Sequence, residues 1–188
     1  MRAPMWIALV TVVGCGPPGG SPPGRIGLGR EASVAEIASM DRDVGPDGVG
    51  LPPGSGTVAE GTKLFAAKCA SCHGTVGQGM PPAYPELIGR PDDAEGFRFG
   101  ADPSLRRTIG NYWPYATTLF DYVRRAMPQL TPGTLTDQEV YALTAYLLAA
   151  NDVIPKDAAL DAASLTKVKM PYRDRFVPDN RRGGREVK

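Results

Sequence analysis

The chain has 188 residues, 42% of them hydrophobic, which is enough for one domain with extensions and too few for two full domains. With 21 Lys+Arg against 20 Asp+Glu the formal net charge is +1, so the broad basic field that nucleic-acid binding requires is missing. Three cysteines and one histidine exclude a disulfide scaffold and a multi-histidine metal site.

In chain order, Met1-Arg2 gives a positive start, residues 5–13 form an apolar run, and Val12-Val13-Gly14-Cys15 brings small residues up to a cysteine. The run is far short of the ~18 to 20 apolar residues of a membrane-crossing helix. The segment resembles a bacterial lipoprotein signal, which implies cleavage before Cys15 and lipid on its sulfur. The alternative is an ordinary secretory signal with a chance cysteine. Both readings export the protein, and the first makes it periplasmic and lipid-anchored to a membrane. In residues 16–24 eight of nine are Gly or Pro, which predicts a tether, and a second such stretch covers 45–56. Between them Ser33-Val-Ala-Glu36 has capping-box spacing and predicts one short helix. The folded domain is expected over residues 57–151, opened by a further capping box, Thr57-Val-Ala-Glu60. Helices are also expected at 103–109, 116–126 and 137–150, joined by Pro- and Gly-marked loops. No run alternates with period two, so the class is all-α. Residues 152–188 read as a C-terminal extension, and its Arg181-Arg182-Gly-Gly-Arg185 tail carries no assigned role.

Cys69-Ala-Ser-Cys72-His73 is the C-x-x-C-H pattern of c-type haem attachment, in which two thiols add to the haem vinyls and the histidine ligates iron. About one helical turn separates the thiols, so both reach one side of the macrocycle and the next residue is aimed at its centre. A thioredoxin-like redox pair would follow a strand in a βαβ setting, and a zinc site needs further ligands; neither setting is present in the sequence. One motif implies one haem.

Because His73 is the only histidine, bis-histidine ligation within the chain is excluded, and the second axial ligand is expected to be a methionine. Met80 lies seven residues past His73, where a fully extended link of about 23 Å barely rounds the haem edge. Met127 lies 54 residues on, held by Pro128 at the end of a helix, and is the preferred candidate; Met40, Met170 or an open site are the remaining options. Otherwise Met40 and Met170 read as core filler.

Residues 57–151 resemble the class I cytochrome c fold. The resemblance matches Gly61 and Phe65 to the first helix, and Leu143 and Tyr146 to the last helix that approaches it. It matches Pro85-Glu-Leu87-Ile-Gly89 to the segment whose proline carbonyl accepts the proton of the histidine's other ring nitrogen, so Pro85 would orient His73. The last helix opens at Thr136-Asp-Gln-Glu139, a capping box flanked by Leu135 and Val140 as a hydrophobic staple. Asn111, Tyr112, Trp113 and Tyr115 form a polar-aromatic cluster, with Trp113 the candidate haem-propionate contact and plain core packing the alternative. Arg124 and Arg125 either pair with propionates, lie on a docking rim or belong to a solvated helix face.

A narrower resemblance, over residues 28–179, is to the cytochrome subunit of Sox-type sulfane dehydrogenase and related sulfite dehydrogenases. It rests on Gly50-Leu-Pro-Pro-Gly-Ser-Gly-Thr-Val-Ala59, on Thr108-Ile-Gly-Asn-Tyr-Trp-Pro-Tyr-Ala-Thr-Thr-Leu-Phe-Asp-Tyr122, on Arg125-Ala-Met-Pro128 and on Lys167-Val-Lys-Met-Pro171. The resemblance implies Met127 as sixth iron ligand and a molybdopterin sulfite or sulfane dehydrogenase subunit as electron donor, with a downstream cytochrome or oxidase as respiratory acceptor. The expected function is single-electron transfer by covalent haem c with no catalytic residue of its own. The alternatives are a general-purpose lipid-anchored cytochrome serving another oxidoreductase, a haem enzyme or sensor with a displaceable sixth ligand, and a structural lipoprotein with a vestigial motif.

Overall fold

The two helices at the centre of the fold both begin at capping boxes. In the computed structural model, which describes residues 29–89, 102 and 104–177, α1 spans Val34–Met40, β1 Ser55–Thr57, α2 Val58–Lys68 and α3 Ala70–His73. They are followed by α4 (Ile109–Tyr112), α5 (Ala116–Ala126), α6 (Asp137–Ala150), β2 (Ala159–Asp161), α7 (Ala162–Leu165) and a 3-10 turn at Arg173–Arg175. The Thr57 side chain accepts from the Glu60 amide while Glu60 receives the Thr57 amide, and Thr136 with Glu139 repeats this reciprocal pair at α6. Leu135 and Val140 flank the second box and are both buried. Cys15 and the 16–24 and 181–185 segments lie outside the described residues. Among the described residues no helix is long and apolar enough to cross a membrane.

The main packing is α2 against α6, with α5 on another side of α6. A Cβ on Gly61 would overlap the Ala142 carbonyl oxygen and lie 2.8 Å from Tyr146 Cβ, so only glycine allows this approach. One turn on, the Phe65 and Tyr146 rings meet at 4.8 Å and 39°, and beneath α5 the Phe120 and Tyr141 rings meet at 4.5 Å and 46°. Phe65, Phe120, Tyr141, Leu143 and Leu148 are all but fully buried. Each such apolar side chain contributes roughly 1.5 to 3 kcal/mol through removal from water.

The structure departs from the sequence reading in four places. The second Gly/Pro-rich stretch, expected as linker, is built into the fold: just ahead of it Val44 is buried and its amide donates to Asp121 Oδ1 at 2.9 Å. Thr117 Oγ1 donates to the Pro46 carbonyl at 3.0 Å, and Tyr141 Oη donates to the Pro52 carbonyl at 2.8 Å. Gly56 belongs to β1 and lies so close to the Ala142 backbone that a side chain there would overlap it. Second, the C-terminal extension is not peripheral: β2 pairs antiparallel with β1, Gly56 opposite Leu160, and Leu160, Leu165 and Met170 join the same core. These three-residue strands are too short to show an alternating pattern.

Third, the helix expected at 103–109 is absent from the described part of that span, because the Asp102 side chain caps the Ser104 amide in a turn and the helix begins only at Ile109. Thr108 and Asn111 supply that start reciprocally. Fourth, Met170 is buried, but Met40 is not core filler: it is 82% exposed on α1, none of whose residues is buried. The arginines of α5 are paired with carboxylates. Arg125 chelates Asp121 through Nε at 2.8 Å and Nη2 at 2.5 Å, while Arg124 Nε reaches Asp137 at 2.9 Å and Nη1 the Arg42 carbonyl at 3.1 Å.

Two outcomes follow. Gly61→Ala would gain about 1 kcal/mol from helix propensity alone, yet overlap with Ala142 is expected to reverse the sign and cost about 1 to 3 kcal/mol in urea unfolding of the holoprotein. A stabilised variant would show that the two helices do not need this contact. Burial pushes the Asp121 carboxyl upward, but the hydrogen bonds from Arg125 and the Val44 amide and the charges of Arg125 and Arg124 outweigh it, leaving Asp121 below its ordinary value of 3.8. A depressed carboxylate stabilises the fold above its unfolded value and loses that contribution as pH falls through the folded one. Protection of the Val44 amide, its exchange measured relative to the intrinsic rate at each pH, is therefore expected to fall as pH drops below 3.8 in the native protein, whereas Asp121→Asn should show reduced protection at neutral pH already.

Candidate haem site

The Cys69, Cys72 and His73 side chains are delivered by a break between two helices. Cys69 closes α2, its amide donating to Phe65 O at 2.9 Å, and at φ −121° it redirects the chain into the single turn of α3. There the Cys72 and His73 amides both donate to the Cys69 carbonyl, at 3.1 and 3.0 Å. Beyond His73, Gly74 at φ 77° and Gly77 at φ 77° turn the chain back, and the Gly79 amide returns to the His73 carbonyl at 2.8 Å. Left-handed backbone of this kind favours glycine.

These residues open onto a cavity of about 590 Å³. Phe65, Cys69, Cys72 and His73 form one wall, Pro85 and Leu87 another, Trp113 and the α5 side chains Leu119 and Val123 a third, with Met127 at the end of α5 and Leu143 and Leu147 from α6. All six sequence-identified candidates, Cys69, Cys72, His73, Pro85, Trp113 and Met127, thus meet at one cavity. Met80 is not among its lining residues: it is 50% exposed and bound by paired backbone hydrogen bonds to Tyr84 at 2.9 and 3.1 Å. Neither Arg124 nor Arg125 lines the cavity, but Arg107 does, its guanidinium 5.1 Å over the Tyr112 ring. Arg107 escaped sequence analysis because nothing in the Leu105-Arg106-Arg107 run separates the arginine that lines the cavity from its equally exposed neighbour, which pairs with Glu86 at 2.7 Å. Tyr84 was missed too; its ring stands edge-on to His73 at 6.0 Å and 66°. Trp113 stands edge-on to Tyr122 at 5.7 Å.

The residues present fit a covalently held haem. The cavity has the size of a cofactor cleft, and its lining is mainly aliphatic and aromatic with a few convergent polar groups. Burial pushes the Cys69 thiol up to about 11, as expected of a sulfur set in an apolar wall. Among the described residues, no group of three or more His, Cys, Asp or Glu side chains converges as metal ligands. Nδ1 of His73 is buried and has no hydrogen-bond partner. Burial lowers the imidazole pKa, and the Pro85 carbonyl opposes this by favouring the ring's protonated form. A buried ring nitrogen beside a backbone carbonyl is the arrangement that fixes the tautomer of a metal-bound histidine.

The thiosulfate dehydrogenase of Stutzerimonas stutzeri (strain A1501) is 27% identical over 125 residues, covering 64% of this chain and 36% of that protein. That of Psychrobacter arcticus (strain DSM 17307 / VKM B-2377 / 273-4) is 31% identical over 130 residues, covering 61% and 35%. The chain thus spans about a third of the length of these two relatives, 36% and 35%. Among solved structures, a chain of the sulfane dehydrogenase SoxCD from Paracoccus pantotrophus superposes with a TM-score of 0.70 at 44% identity, covering 83% of this chain and 73% of that one. The cytochrome c family model matches residues 58–151, the span that contains every side chain of the cavity wall named above. The chain therefore belongs to the cytochrome c family, with the helical class I fold, covalently bound haem c and electron transfer through it.

Proposed function

We propose that this cytochrome carries single electrons from a molybdenum-containing sulfur dehydrogenase subunit to a respiratory acceptor, with Cys69 and Cys72 as haem attachment points and His73 and Met127 as axial ligands. The observation that carries the ligand assignment is the convergence of these four side chains on one apolar cavity, although Met127 is 54 residues from His73. When bound, haem supplies a one-electron ferric/ferrous couple. The chain's own part is to hold and insulate it. Phe65, Leu119, Leu143 and Leu147 keep water from the cavity, the low dielectric favours the less charged ferrous form, and a thioether ligand acts in the same direction. Pro85 orients the His73 imidazole, and Trp113 offers an indole N–H to a propionate.

The sulfur partner rests on the 44% identity to a SoxCD chain, and the thiosulfate dehydrogenases add a second sulfur-oxidising relationship. A sulfur substrate oxidised by two electrons would have to be served in two steps by a one-haem carrier, so donor and carrier must meet twice per turnover or the carrier must act as more than one copy. Export and anchoring through Cys15 place the protein in the periplasm near membrane acceptors. The 16–24 tether would add a reach of about 15 to 18 Å as a random coil.

Met127→Ala in the holoprotein is expected to abolish the methionine–iron charge-transfer absorption and to allow carbon monoxide to bind the ferrous form, since no second histidine can substitute. Met80→Ala should change neither. The reverse pattern moves the ligand to Met80, and carbon monoxide binding to the wild type would favour the displaceable-ligand enzyme or sensor. For the partner, stopped-flow reduction by a purified molybdenum sulfur dehydrogenase plus its substrate should exceed reduction by unrelated donors at matched driving force by tenfold or more. Equal rates would leave a general-purpose carrier.

A further inference from the structure

The last helix ends at Asn151, whose amide reaches out of that helix to the segment that supports His73. The backbone closes in a Schellman arrangement: the Val153 amide donates to Leu148 O and the Asp152 amide to Ala149 O, both at 3.0 Å, with Asp152 at φ 54°. This leaves the Asn151 side chain, 2% exposed, free to serve other elements. It uses all four of its hydrogen-bonding positions. Oδ1 accepts the Gly89 and Gly110 amides, each at 3.1 Å, and Nδ2 donates to Leu87 O at 3.2 Å and Leu147 O at 2.8 Å. A buried amide this completely satisfied fixes its partners relative to one another.

What it fixes is the Pro85 support. Leu87 O is also the acceptor for the Ile109 amide at 3.0 Å, and the Leu87 and Ile88 amides donate to Gly77 O, in the turn that follows His73, at 2.9 and 3.2 Å. Thr108 Oγ1 donates to the Gly89 carbonyl. The segment 85–89 is thus fastened to the haem-motif turn on one side and, through Asn151, to α4 and α6 on the other. Pro85, two residues before the Asn151-bound Leu87 carbonyl, lines the same cavity as His73, whose buried Nδ1 has no other partner.

We propose that Asn151 is a positioning residue for the iron-ligating histidine, setting the depth of segment 85–89 and so the contact between the Pro85 carbonyl and the buried Nδ1 of His73. This rests on the haem-ligand reading of His73 given above. A carbonyl accepting from Nδ1 raises the basicity of the imidazole and favours ferric iron. Releasing the segment weakens that contact and favours ferrous iron.

The test compares wild type, Asn151→Leu and Asn151→Asp holoproteins with Leu165→Ala, a core variant remote from the cavity. In a fixed redox buffer, Asn151→Leu is expected to raise the ferrous-to-ferric ratio three- to tenfold, the upper figure being about 59 mV for one electron. Its His73 Nδ1 proton resonance should shift and exchange faster in the reduced protein. Asn151→Asp keeps both acceptor contacts and loses both donor contacts, so its His73 resonance should shift in the same way, while its added carboxylate favours ferric iron and opposes the change in ratio; the resonance carries the test where the leucine variant does not fold. Leu165→Ala should lose stability with neither change. An unshifted ratio and resonance in the Asn151 variants, or an equal shift in Leu165→Ala, would overturn the proposal and leave Asn151 a purely structural amide. Failure of the wild type to show histidine-ligated haem overturns the ligand reading first, and this inference with it.

Discussion

The approach of α2 to α6 at Gly61 is the constraint on which the cavity depends. With no side chain at that crossing, the α2 backbone can rest against the Ala142 carbonyl. One turn later Phe65 stacks on Tyr146, and the next turn places Cys69, then Cys72 and His73, against the wall formed by Leu143 and Leu147. Widening the crossing by a methyl group would move the attachment motif relative to the α6 wall, because the two are connected rigidly through one short helix. The crossing is therefore both a packing contact and the part of the fold that sets the height of the cavity.

The same helix explains why the folded unit extends beyond the cytochrome core recognised in sequence. From Val140 to Ala145 and from Leu147 to Ala149 every residue of α6 is buried, so beyond its first turn it has no solvent face, and a helix buried on all sides needs cover on all sides. α2 and α5 cover two sides. The remainder is supplied by the Gly/Pro-rich stretch ahead of α2 and by the chain after α6, clipped together as β1 and β2. Composition suggested a linker because Gly and Pro offer nothing to bury. Here their backbone is what is used: Gly56 lies against Ala142, Gly54 stands 3.3 Å from the Tyr141 ring if given a Cβ, and the Pro52 and Pro46 carbonyls accept side-chain hydroxyls.

Legibility followed the range of the interactions. The capping boxes at Ser33, Thr57 and Thr136 are contained within four residues, and all three form as their spacing predicts. The C-x-x-C-H motif is equally local, and its three side chains meet at one cavity. Met127 was singled out because few methionines remain and their distances from His73 differ, and it lines the same cavity. Arg107 and Asn151 had no comparable signal. Which of two adjacent exposed arginines borders the cavity is decided by the fold and not by local pattern, and the Asn151 contacts run 41 and 62 residues back along the chain to Gly110 and Gly89. Nothing in the sequence around Asn151 distinguishes it from an ordinary helix-ending asparagine.

Charge bears on how such a carrier can find its donor. The chain is nearly neutral, and among the described residues Lys68 is paired with Glu139, Arg106 with Glu86, Arg125 with Asp121 and Arg124 with Asp137. Surface pairs of this kind add little stability, about 0 to 1 kcal/mol each, but they cancel one another's field beyond a Debye length of about 8 Å. Long-range steering, which can raise association rates by 10-fold to 10³-fold for strongly charged partners, is therefore a weak resource here. A carrier without that field can still be fast if its partner is held close, either by a standing complex or by confinement on a shared membrane, because the second encounter then occurs at an effective concentration set by the linkage and not by bulk diffusion. The tether proposed for residues 16–24 and the proposed place in a dehydrogenase complex are two forms of that same solution, and a one-electron carrier serving the proposed two-electron donor would meet it twice, so confinement would offset what charge does not provide.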